Sequence, residues 1–373
     1  MEIKGIKYTA PVFDGSGYAE AARQYIQALH KLGIPLTVDP VSFEPLRPEL
    51  GEAGRLINSL VDKPLDYNIK LMHLTPEHYP KFRENAMFNV GYSIWETSKL
   101  HPTWPGYIND NVELAFVGCD WNVEVYKESG VKTPLVKIPH GIDIVSFDNV
   151  PAFGIGGVKK DDYVFYSIFQ WTERKHPLAL IKAYWSEFRE NENVVLVLKT
   201  HRSDYSDREK EIIRDTIVRM KKIMLFDNYP RIQLITDILS RDEILGLHKR
   251  GDCFVLFQRS EGFGLPHFEA AACGKPIITT GMGGNMEFTK PEHSYLVNYI
   301  WTPVFGMPWC PWYRGDQWWA EPDIKHGAQL MRYVFENRAE AQQKGALIKD
   351  YVKENFTWDK VAQMMIDAIK GAR

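Results

Sequence analysis

Glu261 and Glu269, eight residues apart, bracket a glycine-rich turn and a short apolar stretch in the segment EGFGLPHFEAAACGKPII. When ionised, both are acceptor-only groups, which suits the hydroxyls of a ribose or a sugar ring. The preceding run, Cys253 to Phe257, has the length and composition of a buried strand, and Pro266 suits a first helical position, where its missing N–H costs nothing. Gly274 and Pro276 close the helix that carries Glu269, and Pro276 to Thr280 reads as the next buried strand. A helix start directs free N–H groups and partial positive charge at whatever lies in front of it, and Gly262 and Gly264 let the backbone come close to a phosphate. A phosphate flanked by two hydroxyl-bearing rings is a nucleotide-sugar. Packing alone gives no reason for a glutamate at this turn, because an unpaired charge is costly to bury.

Cations stand at a second strand-to-helix crossing. Tyr163 to Phe169 reads as an alternating aromatic strand and Leu178 to Phe188 as an amphipathic helix, with Arg174, Lys175 and His176 between them. Arginine as a fork and lysine as a mobile point charge can together clamp a diphosphate. Nearer the start, Gly15 and Gly17 lie between a strand at Ile3 to Thr9 and a helix at Ala19 to Leu32, with room for close backbone approach. His73, Thr75, Glu77 and His78 follow one short strand, and Ser93, Trp95, Glu96 and Thr97 follow the next. His73 reads as a general base or as a satisfied structural histidine. Glu96 reads as an acceptor contact or as a cap for the segment after it.

Positioning these groups requires an α/β scaffold. Strands at Leu36–Val38, Ile69–Leu74, Met87–Ile94, Leu114–Gly118 and Leu135–Ile138 alternate with helical segments such as Pro48–Leu60 and Asn122–Ser129, which argues for a mostly parallel sheet. Ligands of such sheets gather beyond the carboxyl ends of the strands. The 373 residues suit two or three domains of ordinary size, and Val150 to Gly157 has linker composition. The reading is an N-terminal domain over 1–153, a C-terminal domain over 154–355, and a last helical segment over 356–373. Residues 299–319 hold five tryptophans and read as a long aromatic loop, either a sugar-stacking or lid surface or a compact loop packing its own rings.

Composition narrows the function class. A net charge of −3 leaves no global basic field, which disfavours broad nucleic-acid or anionic-membrane binding and allows at most peripheral membrane contact. Four scattered cysteines, with no Cys-x-x-Cys pair, suit a reduced cytoplasmic chain. No apolar run approaches the roughly 18 residues of a membrane helix. Neither an Asp-x-Asp sequence nor a His/Cys cluster with zinc spacing is present, so the expectation is a site without metal or other cofactor.

The Glu261-x7-Glu269 segment resembles the signature of retaining glycosyltransferases of family four, among the group 1 glycosyl transferases. Pro139 to Asp143, Tyr92 to Thr97 with Leu100 and Trp104, and Gly281 to Phe288 resemble further segments of that family, with the likeness strongest over about 135–290. The resemblance implies the GT-B architecture, two Rossmann-like α/β domains facing a deep interdomain cleft, with the final helix crossing back to the N-terminal domain. It implies a hexosyltransferase-like enzyme that moves a sugar from a UDP- or GDP-sugar to a hydroxyl of a glycan or lipid-linked saccharide, as in polysaccharide biosynthesis, with retention of configuration. Glu261 would then hold the transferred sugar, Glu269 the ribose, and Lys175 and Arg174 the leaving diphosphate. Phe263, Gly264 and Leu265 would line the donor, as would Gly15 and Gly17. Asp237 lies in the loop that would hold the base, and His73 and Glu96 would stand on the acceptor side. One position departs from the family pattern: where an arginine usually stands five residues before Lys175, this chain has Gln170. Arg174 then substitutes for it, or the clamp is weaker. Alternatives are a catalytically inactive nucleotide-sugar-binding or partner protein, another enzyme on the same scaffold such as a phosphorylase or a nucleotide-sugar epimerase, and a transferase acting on modified DNA. The acidic net charge disfavours the last. The sequence does not fix the oligomeric state.

Overall fold

A computed structural model describes residues 1–43, 50–147 and 149–372. The chain divides into two compact units, Met1–Ile142 with Glu354–Arg373, and Asp143–Lys353. In the first unit β1 (Ile6–Ala10), β2 (Leu36–Pro40), β3 (Ile69–His73), β4 (Phe88–Tyr92), β5 (Leu114–Val117) and β6 (Leu135–Lys137) form one sheet of order β2-β1-β3-β4-β5-β6, parallel throughout. The central strands are short and buried, as a sheet covered on both faces demands, while edge strand β6 is half-buried. Helices α1 (Gly17–Lys31), α2 (Gly51–Leu60), α3 (Tyr79–Phe82), α4 (Trp104–Asn111) and α5 (Asp120–Glu128) make the crossovers. Ser16 caps α1 by accepting from the Ala19 N–H at 3.2 Å, and the helix buries Ala22, Tyr25, Ile26 and Leu29. Of the predicted helix 48–60, Pro48 and Glu49 lie outside the described residues, and the helix runs over 51–60.

The helix Trp358–Gly371 belongs to this first unit. Val361, Met365 and Ile369 lie in the same core as α1, and the Trp358 ring meets Tyr25 edge-on at 5.1 Å. A Cβ on residue 141 would fall 2.5 Å from the Trp358 ring, so Gly141 is what lets this helix seat.

The second unit carries β7 (Tyr163–Gln170), β8 (Val194–His201), β9 (Arg231–Ile235), β10 (Cys253–Leu256), β11 (Ile277–Thr280) and β12 (Tyr295–Val297) in the order β12-β11-β10-β7-β8-β9, again parallel. Helices α6 (Pro177–Glu187), α7 (Asp207–Met224), α8 (Arg241–Arg250), α9 (Leu265–Ala272), α10 (Ile324–Glu336) and α11 (Arg338–Asn355) follow in sequence. The chain runs outward from β7 through β8 to β9, then returns to place β10 on the other side of β7. The strand order thus reverses between β7 and β10, and ligands of such sheets bind beyond the carboxyl ends of the strands at that switch point.

Two sequence expectations need correction. Residues 143–153 group with the second unit rather than the first: Lys249 of α8 donates to the Phe147 and Val150 carbonyls at 3.0 and 2.7 Å, and Gly246 lies against Pro151. The aromatic segment after β12 is not one long loop. Its ends form an antiparallel ribbon of β13 (Tyr299–Pro303) and β14 (Trp318–Pro322), in which Trp301 pairs with Ala320 and is exposed, while Trp319 pairs with Thr302 and is buried on the other side.

Met365 is fully buried between its helix and the first sheet. Met365→Ala is expected to lower unfolding free energy by about 2–5 kcal/mol, measured by urea denaturation. A loss under about 1 kcal/mol would contradict the placement of this helix in the core.

Candidate functional site

At the crevice between β7 and β10 the structure joins two predicted groups. The loop after β10 carries Glu261, buried, and the loop after β7 brings Lys175 and Arg174 to it. Lys175 Nζ bonds Glu261 Oε1, while Arg174 Nη1 lies 3.5 Å from Oε2 and donates to the Ser260 carbonyl at 3.1 Å. The backbones are tied as well, Arg259 N donating to Arg174 O at 2.8 Å. Burial pushes the Glu261 carboxyl up, but the Lys175 and Arg174 charges outweigh it and hold the group below its ordinary range. One carboxylate against two cations leaves the pocket positive. The segment after β11 closes on this loop, Gly284 N donating to Glu261 O at 2.7 Å, and a Cβ at 284 would lie 1.9 Å from the Gly262 carbonyl.

Between the two glutamates, α9 begins at Gly264, whose φ of +91° suits glycine, and that cap offers no side chain to the first N–H groups of the helix. A helix start of this kind favours an anion, although Pro266 brings no N–H and Phe268 N already bonds the Gly264 carbonyl. Phe263 packs its ring on Phe268 and Phe288 at 5.1 and 5.4 Å, so it can offer only backbone to a ligand. Leu265 is the first residue of α9. Both ring nitrogens of His267 are buried without a partner among the described residues, and burial lowers its pKa to about 4.

Glu269, one turn into α9, is held by two residues that the sequence reading missed. Arg241 Nη1 bonds Oε1, and His248 Nε2 lies 3.2 Å from Oε2. Burial would raise the Glu269 pKa, but Arg241 and His248 overcome it and hold the carboxyl at about 2. Both partners lie on α8, seven residues and two turns apart on one face, behind a capping box of Ser240 and Glu243. That spacing was the available signal. Tyr166 of β7 extends the chain, its hydroxyl 2.9 Å from His248 Nδ1. Gln170 ends β7 and donates to the Arg202 carbonyl at 3.0 Å. Asp237 is largely exposed and accepts from Lys210 at 2.7 Å, so its side chain is already engaged.

The tryptophan-rich ribbon is anchored beside this loop. Arg259 bonds Glu321 of β14 at 2.7 Å and Glu173 at 3.2 Å, lies 5.4 Å over the Trp319 ring, and Glu321 meets His176 at 3.0 Å. Trp319 is buried, whereas Trp309 is 63% exposed. Trp309, Trp171, Thr172, Gln170, Arg202 and Pro308 line a cleft of about 520 Å³.

The remaining predicted residues lie in the first unit, at the carboxyl ends of β1, β3 and β4. His73 is buried among Tyr8, Tyr18, Tyr25 and Tyr92, with Nδ1 2.9 Å from the Tyr8 hydroxyl. Burial, and then the neighbouring His140, lower its pKa well below the ordinary value, so it is uncharged. Gly15 lies in the loop before α1 and Gly17 opens the helix; Tyr18, next in α1, accepts from Ile94 N at 3.1 Å, which draws the helix start to the segment carrying half-buried Glu96. Among the described residues no group of three or more His, Cys, Asp or Glu is placed to hold a metal ion, and no helix is long and apolar enough to cross a membrane.

Residues 152–299 match the family described as Glycosyl transferases group 1. Over 375 aligned residues the chain is 22% identical to Uncharacterized protein 356 of Sulfolobus islandicus rod-shaped virus 1, covering 98% of each. Among solved structures, it is similar to Anabaena HepE in complex with UDP and glucose, with a TM-score of 0.66, 13% identity, and coverage of 98% of this chain and 99% of that one. Sucrose-phosphate synthase from Thermosynechococcus elongatus gives a TM-score of 0.69 at 14% identity, covering 98% of both chains. At these identities the likeness is one of fold, and the fold class is GT-B, with two α/β units each built on a six-stranded parallel sheet.

The Glu269 network makes an acid-stability prediction. Its folded pKa of about 2 lies below the ordinary 4.5, so its contribution is complete above pH 4.5 and drains away as pH falls towards 2. Between pH 6 and pH 3 the wild type should lose on the order of 1–2 kcal/mol more than Glu269→Gln in urea unfolding. Equal pH dependence of the two proteins would refute the pairing.

Proposed function

We propose that the chain is a retaining, metal-independent glycosyltransferase that moves a hexose from a UDP-sugar to a hydroxyl of a glycan or lipid-linked saccharide. One observation carries this reading. Two buried, ionised carboxylates, Glu261 and Glu269, flank an uncapped helix N-terminus at the carboxyl edge of a parallel sheet, within the segment that matches the group 1 family. Acceptor groups for two sets of ring hydroxyls thus stand on either side of donors for a diphosphate. The Anabaena structure holding UDP and glucose supports UDP as the first nucleotide to test.

In this reading Glu269 binds the ribose hydroxyls and Glu261 the hydroxyls of the sugar. Lys175 and Arg174 turn from Glu261 towards the diphosphate, and with the start of α9 they stabilise the charge that develops as the anomeric C–O bond breaks. The acceptor hydroxyl attacks from the face the diphosphate leaves. Its proton passes to the departing phosphate oxygen, and the new C–O bond keeps the configuration. No nucleophilic carboxylate is required, and the cations do the work that a metal would otherwise do. His73, uncharged, contributes hydrogen bonding rather than charge on the acceptor side, with Glu96. The cleft beside Trp309 and Trp171 suits a sugar face, since indole rings pack on apolar sugar surfaces.

Turnover of UDP-glucose, UDP-N-acetylglucosamine and GDP-mannose in EDTA, followed by nucleotide release and by NMR of the anomeric product, tests the proposal. UDP release in EDTA with retained configuration is expected, and Lys175→Met should lower kcat on the order of 10²-fold. Activity abolished by EDTA would remove the metal-free mechanism, and no turnover of any donor would remove the transferase reading.

A further inference from the structure

Lys199 lies two residues before the end of β8 and is 4% exposed. Among the described residues its ammonium makes no hydrogen bond and no ion pair; it lies 5.1 Å over the Tyr205 ring. Asp237 attracts it from a distance, but that carboxylate is bonded to Lys210, which repels it, and His201 adjoins it on the same strand. Burial holds the Lys199 pKa down to about 8. An ammonium kept out of water without a counter-ion is costly, and the cost falls when an anion arrives.

The face on which it lies follows from register. Tyr166, Ile168 and Gln170 alternate along one side of β7 and pair with Val197, Lys199 and His201 of β8. Tyr166 bonds His248, which reaches Glu269, so Lys199 shares the sheet face of Glu269. At the end of β7 this face presents the neutral Gln170. Neighbouring cations each have a carboxylate: Arg174 and Lys175 meet Glu261, Arg241 meets Glu269, Arg202 meets Glu209 and Lys210 meets Asp237.

We propose that Lys199 contacts the diphosphate of the donor, supplying from β8 the positive charge that β7 lacks at Gln170. The assignment rests on the reading that a nucleotide-sugar occupies this face. A nucleoside lacks the group that Lys199 recognises, so the comparison of diphosphate with nucleoside isolates its role.

Affinities of UDP against uridine, and of GDP against guanosine, are measured by ligand-observed NMR and calorimetry on wild type and Lys199→Met. The substitution keeps an unbranched apolar stem and removes the buried ammonium, so Tm should hold or rise. The expected result is at least a tenfold loss for the preferred diphosphate with nucleoside affinity within twofold. No loss, or an equal loss for diphosphate and nucleoside, overturns the assignment while leaving the donor reading standing. If wild type binds neither diphosphate, the donor reading falls and the assignment with it. Should the variant not fold, the ε-carbon NMR titration of Lys199 in wild type decides: its midpoint rises when UDP is added if the contact exists, and an unmoved midpoint overturns it.

Discussion

The second unit depends on keeping two buried carboxylates charged. Glu261 and Glu269 sit where water is excluded, and a carboxylate left there alone would neutralise or destabilise the fold by several kcal/mol. Each is instead held by two residues reaching in from neighbouring elements, Lys175 and Arg174 from the loop after β7, and Arg241 and His248 from α8. The pairing turns a liability into a pre-set site. In the proposed reading Lys175 and Arg174, which satisfy Glu261, are also the groups that would meet phosphate, so a ligand exchanges partners within an assembled network rather than building one.

The scaffold follows from that requirement. Strand order reverses at β7, which opens the crevice, and the loops on its two sides are locked by Arg259 N to Arg174 O and by Gly284 N to Glu261 O. The close backbone approach at Gly284 leaves no space for a side chain. Arg259 then ties the tryptophan ribbon to the same loop through Glu173 and Glu321, so the aromatic surface is fixed relative to the charged pocket. Geometry at the site is thus carried by backbone contacts and ion pairs between loops, on a sheet whose core is apolar.

Much of this was legible in the amino-acid order, and the reasons are local. An alternating aromatic run marked β7, short apolar runs marked β10 and β11 beside Gly251, Gly274 and Pro276, and Pro266 marked the start of α9. Glu261 stood out because a charge at a buried strand-to-helix turn has no packing reason to be there, and Lys175 because it is a cation at a strand-to-helix crossing. What sequence could not show was partnership across the sheet. Arg241 looks like an ordinary charge at an exposed helix start, and His248 like part of a basic helix end, until the packing of α8 against α9 brings both to Glu269. The ribbon at 299–322 was missed because its pairing joins residues about twenty apart, and its tryptophans lack a run of alternation long enough to be read. The domain boundary was set eleven residues late because linker composition in 150–157 does not reveal that Pro151 and Val150 pack on α8.

The central claim is that Glu269 recognises ribose hydroxyls, with the rest of the donor site built outward from it. A double-mutant cycle tests it most directly: calorimetric affinities of UDP and 2′,3′-dideoxy-UDP for wild type and for Glu269→Ala. The account predicts that removing the ribose hydroxyls weakens binding about tenfold or more in wild type and hardly at all in the variant, a coupling of about 1.4 kcal/mol or above. Equal loss of affinity in both proteins would show that Glu269 does not touch the ribose, and would contradict the account.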